Sequence, residues 1–151
     1  MANRPITRPL RAEDEAAWRV LWRGYLDFYE TELPEEMHDL AFRRLLSDDP
    51  SEFDCLIAEM DGTPVGLAHY LFHRHGWRRE EVCYLQDFYV APEARGMGAA
   101  RALIEAVYAA ADAAGSPRVY WLTQEFNEDA RRLYDRVGVL SPFIRYDRPP
   151  A

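Results

Sequence analysis

At residues 84–107 the sequence pattern of a β-strand is followed at once by the pattern of an α-helix. This junction limits the folds that the chain can adopt. The stretch YLQDFYVAPEARGMGAARALIEAV alternates in its aromatic-rich first part, passes Pro92, and crosses Arg95-Gly96-Met97-Gly98 into a helical repeat. The helix has one main apolar stripe, formed by Leu103, Val107 and Ala111. A strand that leads at once into such a helix predicts a sheet with the helix packed on one face.

The rest of the chain supplies the other layers of such a fold. Helical spacing precedes residue 50, Asp61-Gly62-Thr63-Pro64 is a turn signal between two strands, and Gly115 and Gly138 mark helix ends. The predicted order is a strand (ITRPL), two helices (11–30 and 35–47), three strands (FDCLIAEM, VGLAHYLFH and EEVCYLQDFYV), a helix from Gly98, a strand (RVYWLT), a helix (NEDARRLYDRVG) capped by Asn127, and a final strand (PFIRYD). We predict one domain over residues 1–151 with an α/β (α+β mixed) fold, its central mixed and mostly antiparallel sheet having about 6–7 strands and helices on both faces.

Composition narrows the classes of function. The formal net charge of −8 argues against a nucleic-acid partner, and it favours cationic over anionic small molecules. No apolar run reaches the length of a membrane span and the N-terminus lacks a signal-peptide core, so the expectation is a cytoplasmic protein that needs no membrane. Cys55 and Cys83 have no CxxC spacing and are expected to be reduced core residues.

The glycines before the long helix have two readings. Unpaired N–H groups at a helix N-terminus, with the charge of Arg95 beside them, could hold a phosphate. Equally, a tight strand-to-helix turn needs glycine for its backbone angles. Two common phosphate loops are excluded, because all 18 basic residues are arginine, which rules out GxxxxGK[ST], and Arg101 stands where GxGxxG requires its third glycine.

Two motifs of the chain resemble those of the GNAT superfamily of N-acetyltransferases. The family's acetyl-CoA-binding pattern, Gln/Arg-x-x-Gly-x-Gly/Ala, is matched by Arg95, Gly98 and Ala100. The downstream pattern N-x-x-A-x-x-L/F-Y-x-x-x-G is matched by Asn127, Ala130, Leu133, Tyr134 and Gly138. The opening ITRPLRAEDEAAW also resembles the family's first strand and helix, so the resemblance covers essentially the whole chain.

Within the superfamily, the stretches YLQDFYV and VYWLTQEFN are most similar to the spermidine/spermine acetyltransferases and the fungal histone-and-polyamine group. The chain departs from many of those enzymes at one position, where Gln86 replaces a glutamate that is a proposed general base. Neither that base nor polyamine specificity is therefore carried over. Asp87 is instead our first candidate to bind or deprotonate the amine, with a structural hydrogen bond as the alternative.

The resemblance implies the following site. Acetyl-CoA is the expected co-substrate, with no metal, and the expected contacts are Phe88, Val90, Arg95, Gly96, Met97, Gly98, Ala99, Ala100, Arg101, Asn127 and Tyr134. Tyr134 and Asp87 are the catalytic candidates, since a tyrosine that keeps its proton at pH 7 can assist the leaving thiolate. The substrate-binding candidates are Tyr29, Glu30, Trp77, Gln86 and Asp87. A homodimer is also expected, because the superfamily often forms one.

Several alternatives remain open at this stage. The predicted acceptor is a small primary amine, with polyamines and diamines first and amino acids, including D-amino acids, as the alternative. An amino acid carries a carboxylate and would need a pocket arginine such as Arg74 or Arg78. A peptide or protein acceptor, or an acyl-CoA sensor without turnover, is also possible. His69, His73 and His75 would share a face at strand spacing, which leaves a zinc site as a minor hypothesis and His75 as another candidate base.

Overall fold

The computed structural model describes residues 4–150, in which a single five-stranded sheet carries helices on both faces. The strands are β1 (Ile6–Pro9), β2 (Asp54–Met60), β3 (Thr63–His73), β4 (Val82–Val90) and β5 (Val119–Tyr120). The helices are α1 (Glu15–Phe28), α2 (Glu35–Leu45), α3 (Ala99–Ala113) and α4 (Glu128–Val137), with short 3-10 turns at Ala12–Asp14 and Pro92–Ala94. None of the helices in residues 4–150 is long and apolar enough to cross a membrane.

The sheet runs in the order β1-β2-β3-β4-β5, which is also the chain order. The first four strands are antiparallel neighbours, and β5 pairs with β4 in parallel. A hairpin turn at 61–62 joins β2 and β3, as the turn signal predicts, and α3 forms the crossover between β4 and β5. The mixed, mostly antiparallel sheet is therefore confirmed.

Two apolar cores lie on opposite faces of this sheet. On one face α3 buries the predicted stripe of Leu103, Val107 and Ala111 completely, and Ile104 lies beside them. On the other face α1 and α2 pack Trp18, Trp22 and Phe42 against β2 and β3. Both predicted core cysteines, Cys55 and Cys83, are buried free thiols.

A buried ionic cluster fixes β1 to the turn that begins α1. The guanidinium of Arg8 donates to both carboxylate oxygens of Asp14 at 2.7 and 2.9 Å and to Glu59 on β2 at 2.8 Å. Only 13% of the Arg8 side chain and 7% of the Asp14 side chain are exposed. The hydrogen bond from Arg8 is the main cause that lowers the pKa of Asp14 below its usual range.

The C-terminal part of the fold differs from the prediction. The expected final strand PFIRYD is wrong, since residues 139–150 pair with no strand within the described chain, and the sheet has five strands instead of 6–7. A strand needs a hydrogen-bonding neighbour, but the adjacent strand β5 is paired at only two residues, Val119 and Tyr120, and not over the whole of RVYWLT. Apolar side chains in this region are 73–97% exposed, namely Val139, Leu140, Phe143, Ile144 and Tyr146.

Candidate functional site

A β-bulge at Gln86 decides which face of the sheet Asp87 lies on. The β3–β4 register pairs His69 with Asp87 but Tyr70 with Leu85, so Gln86 is the extra residue on β4. Without the bulge, Leu85 and Asp87 would lie on the same face, since alternate strand residues do. Leu85 is buried in the α3 core, whereas Asp87 bonds to α1, and Gln86 itself is exposed.

The Asp87 carboxylate is held at both oxygens. The hydroxyl of Tyr25, on α1, donates to Oδ1 at 2.8 Å, and Nδ1 of His69, on β3, lies 3.0 Å from Oδ2. The Asp87 side chain keeps 16% of its surface exposed, while the His69 side chain keeps 4%. Asp87 is thus fixed in orientation and still partly open to solvent.

Aromatic side chains of α1 surround the carboxylate. Tyr25 stacks on Trp22 at 5.2 Å between ring centroids and contacts the Tyr29 ring edge-on at 5.1 Å. Burial, together with the nearby Asp87 charge, raises the pKa of Tyr25 far above its usual value and raises that of Tyr29 as well. Both hydroxyls are therefore neutral hydrogen-bond donors at physiological pH. The wall around Asp87 combines uncharged donors with aromatic rings, which is suitable for an amine.

Tyr134 approaches the same region from α4. Its ring meets Trp121 edge-on at 5.5 Å and Phe88 at 6.5 Å. Burial raises the pKa of Tyr134 to about 12, and Tyr29 makes a smaller contribution in the same direction. Tyr29 is therefore near enough to influence both Asp87 and Tyr134, and Tyr134 keeps its proton at neutral pH.

The strand edge beside this region is open. β4 pairs with β5 only at Cys83 and Tyr84, and in the described residues no strand neighbours 85–90 on that side. Phe88 and Val90 lie in this open half of β4. A free strand edge offers backbone N–H and C=O groups to an extended, peptide-like ligand.

The loop after β4 continues that edge toward α3. Gly96 and Gly98 both have left-handed backbone angles, with φ of 79° and 88°, where a side chain would be strained. Nothing else comes within 4 Å of where a Cβ would stand on either residue. Arg95 is exposed, and its Nε donates to the Val90 carbonyl at 3.3 Å.

The first turn of α3 leaves its backbone donors available. Among the described residues no side chain caps this helix, and its first turn holds no acidic residue. The N–H groups of Ala99, Ala100 and Arg101 precede the first intrahelical bond, which Ala102 makes to Gly98 at 3.0 Å. The Arg101 side chain points along the helix and pairs with Glu105 at 2.9 Å.

At the start of α4, Asn127 is the N-cap that the sequence predicts, and its Oδ1 accepts the Ala130 N–H at 3.3 Å. A cavity of about 310 Å³ lies between this helix start and the end of α1. It is lined by Phe28, Gln124, Phe126, Asn127, Glu128 and Asp129. Phe28 is the α1 residue in this lining, so the cavity borders the end of α1.

Two further substrate candidates, Glu30 and Trp77, and the cofactor candidate Met97 remain predictions. Glu30 is exposed at the end of α1 with φ of 52°, an unusual backbone angle for this residue type. Trp77 lies in the turn between β3 and β4, is 82% exposed, and contacts the ring of His75 at 5.3 Å. Met97, in the glycine loop, is also exposed.

The three histidines have separate partners, and His75 lies beyond β3, which ends at His73. His69 bonds to Asp87, His73 Nε2 lies 2.8 Å from the Tyr120 hydroxyl, and His75 Nδ1 accepts the Trp77 N–H at 3.2 Å. Within residues 4–150 no group of three or more metal-ligating side chains is arranged to hold a metal ion. The three histidines therefore do not act as one cluster.

Sequence reasoning missed two members of the Asp87 cluster, Tyr25 and His69. In the sequence, Tyr25 is one of several apolar and aromatic residues at helical spacing before residue 50, and His69 belongs to the histidine pattern, so neither pattern points to Asp87. The spacing of Tyr25 and Tyr29 by four residues was an available signal for a shared helix face. The contact between His69 and Asp87 depends on the bulged register, which no local pattern reveals.

Comparison with known proteins agrees with this geometry. The sequence model described as the acetyltransferase (GNAT) family matches residues 15–139. The chain is 37% identical over 147 residues to the D-amino-acid N-acetyltransferase of Saccharomyces cerevisiae, a match that covers 97% of this chain and 91% of the relative. It is also 31% identical over 94 residues to the thialysine N-epsilon-acetyltransferase of Bos taurus, which covers 57% of this chain and 55% of that one.

Solved structures share the fold at low sequence identity. The ribosomal-protein-alanine N-acetyltransferase of Brucella melitensis superposes with a TM-score of 0.79 at 22% identity and covers 95% of this chain and 97% of its own. An aminoglycoside N-acetyltransferase crystallised with CoA has a TM-score of 0.79 at 20% identity, covering 99% and 98%. At these identities the likeness concerns the fold alone.

Proposed function

The chain belongs to the acetyltransferase (GNAT) family, and on that premise we propose that it transfers the acetyl group of acetyl-CoA to a small primary amine bound against Asp87. The family consists of N-acetyltransferases that use acetyl-CoA. The observation that carries the acceptor proposal is the Asp87 carboxylate, fixed by Tyr25 and His69 beside Tyr29 where β4 loses its neighbouring strand. The carboxylate offers its negative charge to the ammonium group of an acceptor, and the missing neighbouring strand leaves the approach open.

The acceptor must lose a proton before it attacks. An alkyl amine with a pKa near 10.4 costs roughly 4 to 5 kcal/mol to present as free base at pH 7. Asp87 binds the ammonium form and takes up or relays its proton, and the neutral nitrogen then attacks the thioester carbonyl carbon. One further N–H proton leaves as the carbon–sulfur bond breaks, so that an amide and a CoA thiol result.

Tyr134 assists the departure of the sulfur. Its pKa of about 12 lies well above the value near 8.5 that is usual for a thiol, so full proton transfer to the thiolate is uphill. Tyr134 therefore donates a hydrogen bond to the sulfur and keeps its proton. The proton that the thiolate finally takes comes from the amine or from water.

The residues along the open edge fit acetyl-CoA. Arg95, the glycine loop and the uncapped first turn of α3 combine a positive charge, close backbone access and free N–H donors, as a pyrophosphate needs. The backbones of Phe88 and Val90 are proposed to hold the pantetheine arm, and the Val90 N–H to polarise the thioester carbonyl. Asn127 is proposed to contact the cofactor while it caps α4.

Amino acids, including D-amino acids, are the acceptors that we propose first. The support is the D-amino-acid acetyltransferase that resembles nearly the whole chain, with the thialysine enzymes as a second amino-acid case. Polyamines and diamines are the second candidate, because the net charge of −8 and the Asp87 carboxylate favour a cation without a carboxylate, with Glu30 proposed as a second acidic contact. Gln86 and Trp77 stay as predicted acceptor contacts.

A thiol-release assay with acetyl-CoA tests the proposal. The panel contains D- and L-amino acids, thialysine, putrescine and spermidine, with N-acetylated amino acids as blanks. We expect turnover of amino acids. Turnover restricted to spermidine and putrescine would favour the second candidate. Acetyl-CoA binding without turnover of any amine would reject acetyl transfer and indicate a sensor.

Two variants assign the proposed roles. Asp87→Asn keeps the side-chain shape, removes the charge, and is expected to lower kcat/KM for the amine about 100-fold or more. Tyr134→Phe is expected to lower kcat about tenfold with little change in KM for acetyl-CoA. Asp48→Asn is the matched control for the first change, because Asp48 is exposed in the loop after α2, outside the proposed site. Wild-type kinetics in either site variant would remove that residue from the mechanism.

We also propose that the protein forms a homodimer through the segment 139–148. This segment has a strand-like sequence and exposed apolar side chains, and it lies beside a groove of about 670 Å³ along β5. The groove is lined in part by Tyr120, Trp121 and Tyr134. A second copy is the proposed occupant, because its own segment supplies the strand that β5 lacks in one chain.

A further inference from the structure

Four side chains form one hydrogen-bonded line from the core of the protein to the proposed acceptor site. The indole Nε1 of Trp18 lies 3.0 Å from Nε2 of His69, and Nδ1 of His69 lies 3.0 Å from Oδ2 of Asp87. The Tyr25 hydroxyl reaches the other carboxylate oxygen at 2.8 Å. Trp18 is completely buried and His69 is 3% exposed, so water does not compete for these bonds.

The direction of each bond follows from the donors present. An indole N–H can only donate, so Nε2 of His69 must accept. The single proton of the neutral ring is then on Nδ1, which donates to Asp87. A second proton on Nε2 would face the Trp18 N–H directly. The arrangement therefore favours the Nδ1–H tautomer of the neutral His69 ring.

Two ionisable groups beside this line, Cys55 and Tyr29, are neutral at physiological pH. Cys55 lies opposite His69 on β2, and burial raises the pKa of its thiol well above the usual value. From α1, Tyr29 faces Asp87, and burial raises its pKa too. Tyr84, on β4, lies near the Tyr25 hydroxyl. Among the described residues no arginine bonds to Asp87, so its carboxylate has no cation as a fixed partner.

We propose that His69 is a positioning residue, which Trp18 keeps neutral and in the Nδ1–H tautomer so that Asp87 stays oriented and free of an internal counter-ion. The negative charge of Asp87 is then available to the ammonium group of the acceptor. A histidine free to protonate beside Asp87 would form an ion pair with it and compete with the substrate. This inference deepens the proposed function and rests on it for the identity of the ligand.

Two tryptophans on the same helix provide a matched pair of variants. Trp18→Phe keeps an aromatic ring and removes the N–H that His69 accepts. Trp22→Phe is the control. The Trp22 ring lies 5.2 Å from the His69 ring, about as near as the Trp18 ring at 6.0 Å. However, Nε1 of Trp22 has no hydrogen-bond partner in the described residues. Both changes reduce a buried indole to a phenyl ring, so their general packing costs are similar.

The first measurement is the ring-nitrogen NMR spectrum of His69 in the full-length protein as a function of pH. Wild type and Trp22→Phe are expected to show the neutral Nδ1–H tautomer throughout the range of about pH 6 to 8, where a free histidine titrates. Trp18→Phe is expected to become protonated within it. Titration of His69 in the wild type, or the same spectra for the two variants, would overturn the proposal.

The second measurement is the pH dependence of acceptor kinetics. In Trp18→Phe the KM for the amine is expected to rise about tenfold between pH 8 and pH 6 relative to wild type, with a smaller change in kcat. His69→Asn, whose amide can replace the Nδ1–H donor, is expected to keep most of the activity, whereas His69→Leu loses it. Parallel pH profiles for all variants would contradict the proposal. Because the NMR result needs no turnover, a locked tautomer without acetyl transfer would reject the proposed function and leave this inference standing.

Discussion

The sheet has two parts that differ in how complete they are. From β1 to β4 the strands pair over four to eight residues, both faces carry buried cores, and the polar groups of Arg8, Asp14 and His69 are bonded inside the protein. From β5 onward, one strand pairs at two residues, α4 has no fully buried side chain, and the segment 139–148 exposes its apolar residues.

This difference indicates where the protein meets other molecules. The first part bonds its buried Arg8, Asp14 and His69 internally and holds Asp87 in a fixed orientation. At the junction of the two parts, the edge of β4 at 85–90 has no neighbouring strand and the first turn of α3 has no side-chain cap in the described chain, and an open groove runs along β5. We propose that acetyl-CoA occupies the first two and a second copy of the chain occupies the third. Three changes to the chain, in order of expected size, test this division.

The largest effect is expected from Arg8→Met in the complete part. This change leaves Asp14 and Glu59 buried without their cation, and removal of one partner from a buried ion pair costs about 3 to 5 kcal/mol. Denaturant unfolding measures the loss. Arg132→Met is the control, because Arg132 and Asp129 on α4 are 69% and 92% exposed and such pairs contribute about 1 kcal/mol or less. Equal losses in the two variants would contradict the division.

The same cluster gives this part an acid dependence. Because the pKa of Asp14 is lower in the folded protein than in the unfolded chain, its stabilising contribution is complete above the unfolded value near 3.9. That contribution is lost as pH falls from about 4 through the lowered value. Stability of the wild type should therefore fall more steeply below pH 4 than that of Arg8→Met.

Removal of residues 139–151 is expected to have the second largest effect, and on assembly instead of folding. The full chain should elute at twice its mass of 17.6 kDa, and the truncated chain as a monomer, with dimer affinity weakened at least tenfold, or about 1.4 kcal/mol. Light scattering after size exclusion measures this. A full chain that is monomeric at high concentration, or a truncated chain that still dimerises, would reject the segment as the interface.

The smallest effect is expected from Glu30→Gly, at the border of the two parts. Glycine removes the strain of a positive φ, which costs about 1 kcal/mol for a residue with a side chain, so unfolding should become harder by about that amount. If Glu30 contacts the acceptor, KM for cationic amines rises at the same time. Asp61→Gly relieves the same φ of 52° in the β2–β3 turn and should leave KM unchanged. A Glu30→Gly protein with unaltered KM would remove Glu30 from the acceptor site.

Local patterns predicted most of the fold. The stripe of Leu103, Val107 and Ala111 predicted α3 and its buried face, and Asn127 predicted the start of α4, because a helix repeat and an N-cap are properties of neighbouring residues. The prediction of a final strand was wrong for a physical reason. PFIRYD has the composition of a strand, but pairing depends on a partner edge that the chain does not provide.

The candidate site was predictable only where it follows motifs. Arg95, Gly98 and Tyr134 could be found from spacing and resemblance, although their roles stay proposals. The network around Asp87 could not be found in this way, because Trp18 and His69 are 51 residues apart and His69 and Asp87 are 18 apart. Their meeting depends on a strand register that includes one unpaired residue, Gln86.

Because of the bulge at Gln86, the number of residues in β4 matters more for the fold than the identity of the residue at position 86. Replacing Gln86 leaves the faces of the strand as they are, whereas deleting it would restore regular alternation and turn Asp87 toward the α3 core or shift Leu85 out of it. Substitutions at this exposed position should therefore leave the fold intact, even where they alter the proposed contact with the acceptor, whereas single-residue deletions should disrupt the fold. A library of variants that changes the residue at position 86 would sample mostly folded chains, but one that changes the number of residues in β4 would sample mostly misfolded chains.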